Sequence, residues 1–122
     1  MTKFKRMAVT ALAVAALGVG VAAAQDAPQG NATNGKRIYL ADGCFTCHGR
    51  SGQGGAYNGP APILARTAMP FDGFKSQLRS PADDMPAYSS AVLSDQDIAD
   101  IFAFVTALPG QGSAKDVAIL NN

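Results

Sequence analysis

The chain has 122 residues, 48% of them hydrophobic and 16% charged, with a formal net charge of +1. That length holds one small domain besides any targeting segment. No basic run points to nucleic acid, and no acidic tail points to a charge-driven partner.

Lys3, Lys5 and Arg6 form a positive start. Met7 to Val21 is a run of Ala, Val, Leu and Gly in which only Thr10 is polar, and Ala22-Ala23-Ala24 follows. This is the pattern of a secretory signal peptide, residues 1–24, cut after Ala24. The alternative is an uncleaved membrane anchor, but an Ala- and Gly-rich run is weakly hydrophobic for a span. Cleavage leaves a domain of 98 residues, 25–122, with seven Lys and Arg against nine Asp and no Glu, a formal −2. A domain of that size buries only a small apolar core of its own.

Gln25 to Gly30 reads as an entry segment. The Asn31-Ala32-Thr33 sequon is treated as incidental. A helix is expected from about Asn31 to Ala41, stopped by Asp42-Gly43. Gly35 and Tyr39 share one face of it. A helical glycine costs about 1 kcal/mol relative to alanine, so Gly35 implies the close approach of another element. The competing reading is a helix that begins only after Gly35.

Every cysteine and the only histidine then fall in one pentapeptide, Cys44-Phe45-Thr46-Cys47-His48. C-x-x-C-H is the attachment signature of c-type haem. Two thiols add to the two vinyl groups on one porphyrin edge, and two intervening residues let one helical turn present both sulfurs there. The next residue aims its imidazole at the iron. Three other readings compete. A redox dithiol usually sits beside a βαβ pattern, which is missing here. Zinc needs about four ligands, and no Cys or His lies beyond these three. A structural disulfide with an incidental histidine is the third. Export through an oxidising compartment suits thiols that haem consumes.

Gly49 to Gly55 is a glycine-rich loop without the spacing of a phosphate-binding loop. Asn58-Gly59-Pro60-Ala61-Pro62 continues as irregular backbone, because proline at 60 and 62 excludes a regular helix. Rigid chain beside a buried imidazole points to a carbonyl acceptor for its outer N–H. Phe71, Phe74 and Leu78 predict a short amphipathic helix over 72–79, ended by Ser80-Pro81. Another irregular stretch holds Met85-Pro86. Ser94 opens the clearest helix, with Asp97 completing a capping-box pattern. Ile98, Ile101, Phe102, Val105 and Leu108 form its apolar stripe, and Pro109-Gly110 ends it. In the tail, Val117, Ile119 and Leu120 point to packing. No segment reads as a strand.

A haem iron held by His48 has a second axial position, and no other histidine exists to fill it. Methionine is the remaining soft donor, and after residue 24 only Met69 and Met85 occur. Met85 lies 37 residues past His48 with a helix between, and Met69 lies 21 past it, just before that helix. The longer reach, on irregular backbone, favours Met85 as distal ligand. Met69 and an open site are the alternatives, and ordinary core filling is the commoner role of methionine.

Gly35-x-x-x-Tyr39, Cys44-x-x-Cys47-His48, Gly59-Pro60, Met85-Pro86 and the Ile101-Phe102-Ala103-Phe104-Val105 helix occur in the order of class I c-type cytochromes. From residue 31 to about 109 the chain resembles a small bacterial monohaem member of that family. The resemblance implies an all-α cytochrome c fold over 25–122, three to five helices around one covalent haem c. It implies that the N- and C-terminal helices cross near Gly35 and pack on Phe104 and Ile101. It implies that Pro60 offers its carbonyl to His48, and that Met85 is the distal ligand.

The expected function is electron transfer in the periplasm, not catalysis. The haem cycles between ferrous and ferric states, and the partners are unnamed redox proteins, donor and acceptor, met through small transient contacts. No membrane span remains after signal cleavage. The protein is then a free monomer or, as the nearest alternative, a dedicated subunit of a periplasmic dehydrogenase. An open-site ligand-binding or peroxidatic haem protein is the reading from a different class.

Overall fold

The computed structural model describes residues 27–55, 61–112 and 115. The signal-peptide stretch, Gly59-Pro60, and Val117, Ile119 and Leu120 lie outside the described residues. Among the described residues four α-helices follow in order: α1 (Ala32–Ala41), α2 (Phe45–His48), α3 (Phe71–Arg79) and α4 (Asp95–Ala107). Among the described residues there is no strand, so the all-α expectation holds. No helix among them is long and apolar enough to cross a membrane.

Local signals set the helix ends. The Asn31 side chain caps α1 by accepting from the Thr33 and Asn34 N–H groups at 3.0 and 3.1 Å. The far end of α1 closes through Gly43, at φ +75°, with the Cys44 N–H donating to the Tyr39 carbonyl at 3.1 Å. That six-to-one bond over a left-handed glycine is a Schellman closure, and it delivers Cys44 to a defined place. Ser94 and Asp97 form the expected capping box on α4.

The principal packing pair is α1 on α4, with α3 against α4 the lesser one. A Cβ built on Gly35 would land on the Asp100 carbonyl and come within 2.8 Å of the Ile101 nitrogen. Only glycine lets the two backbones meet there. Tyr39 and Phe104 pack edge-on beside the crossing, with ring centroids 5.3 Å apart. The helix that began after Gly35 is therefore excluded, and the crossing sits where it was expected.

Two details of α4 differ from its apolar stripe. Phe104 is buried, whereas Phe102 and Leu108 are only half-buried. The reason is that α4 is covered on two sides: Phe104 faces Tyr39 of α1, while Phe102 meets Phe71 and Phe74 of α3 at 5.5 and 5.2 Å. Asp100 is the second, a carboxylate only 4% exposed in the helix crossing. It accepts from the Asn31 N–H at 2.8 Å, the Asn34 amide at 2.7 Å and the Gln96 amide at 2.9 Å.

Candidate functional site

The Schellman closure of α1 runs straight into α2, one turn that carries Cys44, Cys47 and His48. The His48 N–H donates to the Cys44 carbonyl at 3.0 Å, and the Gly49 N–H donates to the Phe45 carbonyl at 2.9 Å. Behind the turn, the buried Tyr39 hydroxyl donates to the Gly49 carbonyl at 2.7 Å. Thus α1 positions the turn from both ends.

His48 is 7% exposed, and its Nδ1 lies 3.0 Å from the Pro62 carbonyl. A carbonyl can only accept, so this bond needs the proton on Nδ1 and leaves the lone pair on Nε2. The acceptor was expected to be Pro60, which lies outside the described residues; the bond observed goes to Pro62. From the sequence the two prolines of Pro60-Ala61-Pro62 were equivalent, and no signal in the chain distinguished their carbonyls.

Cys44, Cys47 and His48 open onto a cavity of about 900 Å³. That is at the upper end of the roughly 300–1,000 Å³ of cofactor sites. Phe74, Leu78 and Ile101 supply apolar wall, and both Met69 and Met85 line the same space. Met69 is 44% exposed, with its Cγ 3.2 Å from where a Gly73 Cβ would stand. Met85 instead packs against the hydrophobic core, with the Gln77 amide 3.9 Å from its sulfur. Gln77 and Tyr88 also line the cavity, and neither was singled out from the sequence.

The thiols are unbridged. Burial, and after it the charge of Asp42, pushes the Cys44 thiol up to about 11. Reactive redox dithiols need the opposite shift, so this environment speaks against that reading. The Tyr88 phenol is raised to about 12, first by burial and then by Cys44. Among the described residues no three His, Cys, Asp or Glu side chains gather around one ion position. The two thiols and the imidazole line one cavity together with Phe74, Leu78 and Ile101. A flat macrocycle tethered by thioethers needs thiols and an iron ligand on one cavity, and apolar walls suit its faces. The residues present fit a haem.

A family model described as cytochrome C oxidase, cbb3-type, subunit III matches residues 30–105. The chain belongs to the c-type cytochromes, and the family makes it a haem-based electron carrier, not an enzyme. It is similar to cytochrome c-555 of Methylococcus capsulatus, with 33% identity over 97 residues, covering 79% of this chain and 78% of that relative. No solved structure matches it.

Proposed function

We propose that the protein is an exported, periplasmic one-electron carrier with a single haem c joined through Cys44 and Cys47 and held axially by His48 and Met85. One observation carries the reading: two thiols, an imidazole with its Nδ1 engaged, and a core-packed thioether line one cavity. When bound, haem iron supplies the ferrous–ferric couple. Cys44 and Cys47 would anchor one edge as thioethers, each S–H adding across a vinyl group. His48 would offer Nε2, with the Pro62 carbonyl fixing the ring and raising its basicity. The Met85 sulfur would favour the reduced state and close the sixth position to oxygen and peroxide. The segment 1–24 would direct export and be removed. Because the matching family is described as an oxidase subunit, residence in a stable complex, such as the dehydrogenase considered above, is the second reading. Size exclusion of native periplasmic extract separates the two.

The test of the site has two parts. Mass spectrometry of exported protein should give residues 25–122 plus one haem; a haem-free mass from a host competent in cytochrome maturation would refute attachment. Met85→Ala should lower the reduction potential and admit carbon monoxide to the ferrous form, because water or hydroxide does not favour ferrous iron as thioether does. Met69→Ala should do neither. An unchanged potential and no carbon monoxide binding in Met85→Ala would remove Met85 from the ligand set.

A further inference from the structure

Met85 lies between α3 and α4, on a segment whose base is pinned. The Tyr88 N–H donates to the Leu78 carbonyl at 2.9 Å, which closes residues 79–87 into a loop. Arg79 seals the same base. Its Nη1 donates to the Tyr88 carbonyl at 2.9 Å, and its Nη2 donates to Asp95 Oδ1 at 2.7 Å. Asp95 is the first residue of α4. One guanidinium therefore joins the last turn of α3, the far end of the Met85 loop and the start of α4. Lys75 takes the other oxygen of Asp95 at 2.6 Å but bonds nothing in the loop.

Arg79 is not part of the cavity wall. Its side chain is 21% exposed against 35% for Lys75. An exposed ion pair contributes little stability, so the pairing with Asp95 gives no sufficient reason for this arrangement. The geometry does. A planar fork can hold two acceptors in fixed directions at once, whereas an ammonium is a point charge on a flexible stem. A thioether offered from an irregular loop reaches a fixed place only if the loop itself is fixed.

We infer that Arg79 is a positioning residue for Met85: by tying the Tyr88 carbonyl to Asp95 it closes the Met85 loop and holds the thioether ready for axial ligation. The inference rests on Met85 being the distal ligand, as proposed above.

The experiment uses the haem-loaded protein and three variants, Arg79→Gln, Arg79→Lys and Lys75→Gln. Three readouts are followed: amide hydrogen exchange at Tyr88, the ferric absorption band that marks sulfur ligation, and the rate of carbon monoxide binding to the ferrous form. In Arg79→Gln the Tyr88 amide should exchange faster, the sulfur band should weaken, and carbon monoxide should bind roughly tenfold faster, as expected for a lost charge-assisted hydrogen bond. Arg79→Lys, which keeps the charge facing Asp95, should shift all three in the same direction by less, and it guards against a folding failure in the glutamine variant. Lys75→Gln breaks the same ion network without touching the loop and should leave the band and the rate at wild-type values. A wild-type band and rate in both Arg79 variants would overturn the inference. So would Lys75→Gln changing them as much as Arg79→Gln, since the effect would then be general loosening. A wild-type protein with no sulfur band overturns the Met85 reading and this inference together, and the exchange data would then report only on the loop closure.

Discussion

Asp100 carries the clearest single-residue consequence. Its carboxylate is buried in the α1–α4 crossing with neutral donors only, the Asn34 amide, the Asn31 N–H and the Gln96 amide. These hold it below the usual carboxylate range, the Asn34 bond contributing most and the Asn31 N–H next, against the opposing effect of burial. The amino terminus of α1, whose cap is Asn31, adds a favourable dipole. Because the folded pKa lies below the unfolded one, the stabilisation is complete above the unfolded value of about 3.9 and is lost as pH falls through the folded value. Asp100→Asn should therefore be less stable than wild type at neutral pH, by about 1–3 kcal/mol for the unsatisfied donors. It should also lose less stability on acidification below about pH 4. Denaturant melts of both proteins from neutral to acid pH test this; parallel acid slopes would show that the carboxylate is not the group that titrates. None of this was legible in the chain, where Asp95-Gln96-Asp97 and Asp100 look like one polar face. The burial of Asp100 is imposed by Asn31 and α1, 69 and 66 residues earlier in sequence at the two bonds, and only the fold reveals it.

At the scale of elements, what was readable was what depends on neighbours in sequence. Asp42-Gly43 ends α1, Ser94 with Asp97 starts α4, and Phe71, Phe74 and Leu78 are the buried face of α3. The haem pentapeptide was readable because its spacing is local too. What was not readable depends on distant partners: Pro62 as the histidine's acceptor, and Arg79 bridging two helices; Phe104 at the crossing came from the family resemblance, while the helical stripe alone pointed to Phe102. Gly35 is the exception, because a glycine in a helix signals its missing side chain. The crossing makes a sharp prediction. Replacing a helical glycine by alanine normally gains about 1 kcal/mol. At Gly35 the new methyl meets the Asp100 backbone, which cannot swing aside. Gly35→Ala should thus destabilise the protein, and Gly35→Val should cost about 3 kcal/mol or somewhat more. Gly73 of α3 is the internal control, since its Cβ would meet only the flexible Met69 side chain at 3.2 Å. Gly73→Ala should leave stability equal or improved. Denaturation midpoints decide it: a Gly35→Ala protein as stable as Gly73→Ala would mean that α1 and α4 do not touch at that glycine.

For the molecule as a whole, the cavity is large beside the core that surrounds it. The same Phe74, Leu78 and Ile101 that line it also belong to the core formed with Ile38, Tyr39, Ile98, Phe104 and Val105. A haem held there would in this sense be part of the hydrophobic interior. Left without its group, an open cavity of about 900 Å³ exposes the apolar faces of Phe74, Leu78 and Ile101 to water, at about 25 cal/mol per Å² of apolar surface. A domain of this size has only about 5–15 kcal/mol of net stability. Without its group, then, the chain keeps a wetted apolar wall or collapses it, and collapse shifts α3 and the Met85 loop against α4. The double variant Cys44→Ser, Cys47→Ser, purified free of haem, should therefore lose the cooperative thermal transition and the near-ultraviolet circular dichroism of its aromatic core. Some helical signal should survive, because the Asn31 and Ser94 caps and the Gly35–Asp100 backbone contact lie outside the cavity lining. Wild-type haem protein should unfold in one sharp step, since the covalently held group stays on the chain but its apolar faces are buried only in the native state, which adds to that state's stability. If the haem-free variant instead melted as sharply and at nearly the same temperature, the cavity would have to close by itself, and the core around Tyr39, Ile98 and Val105 would be sufficient for the fold.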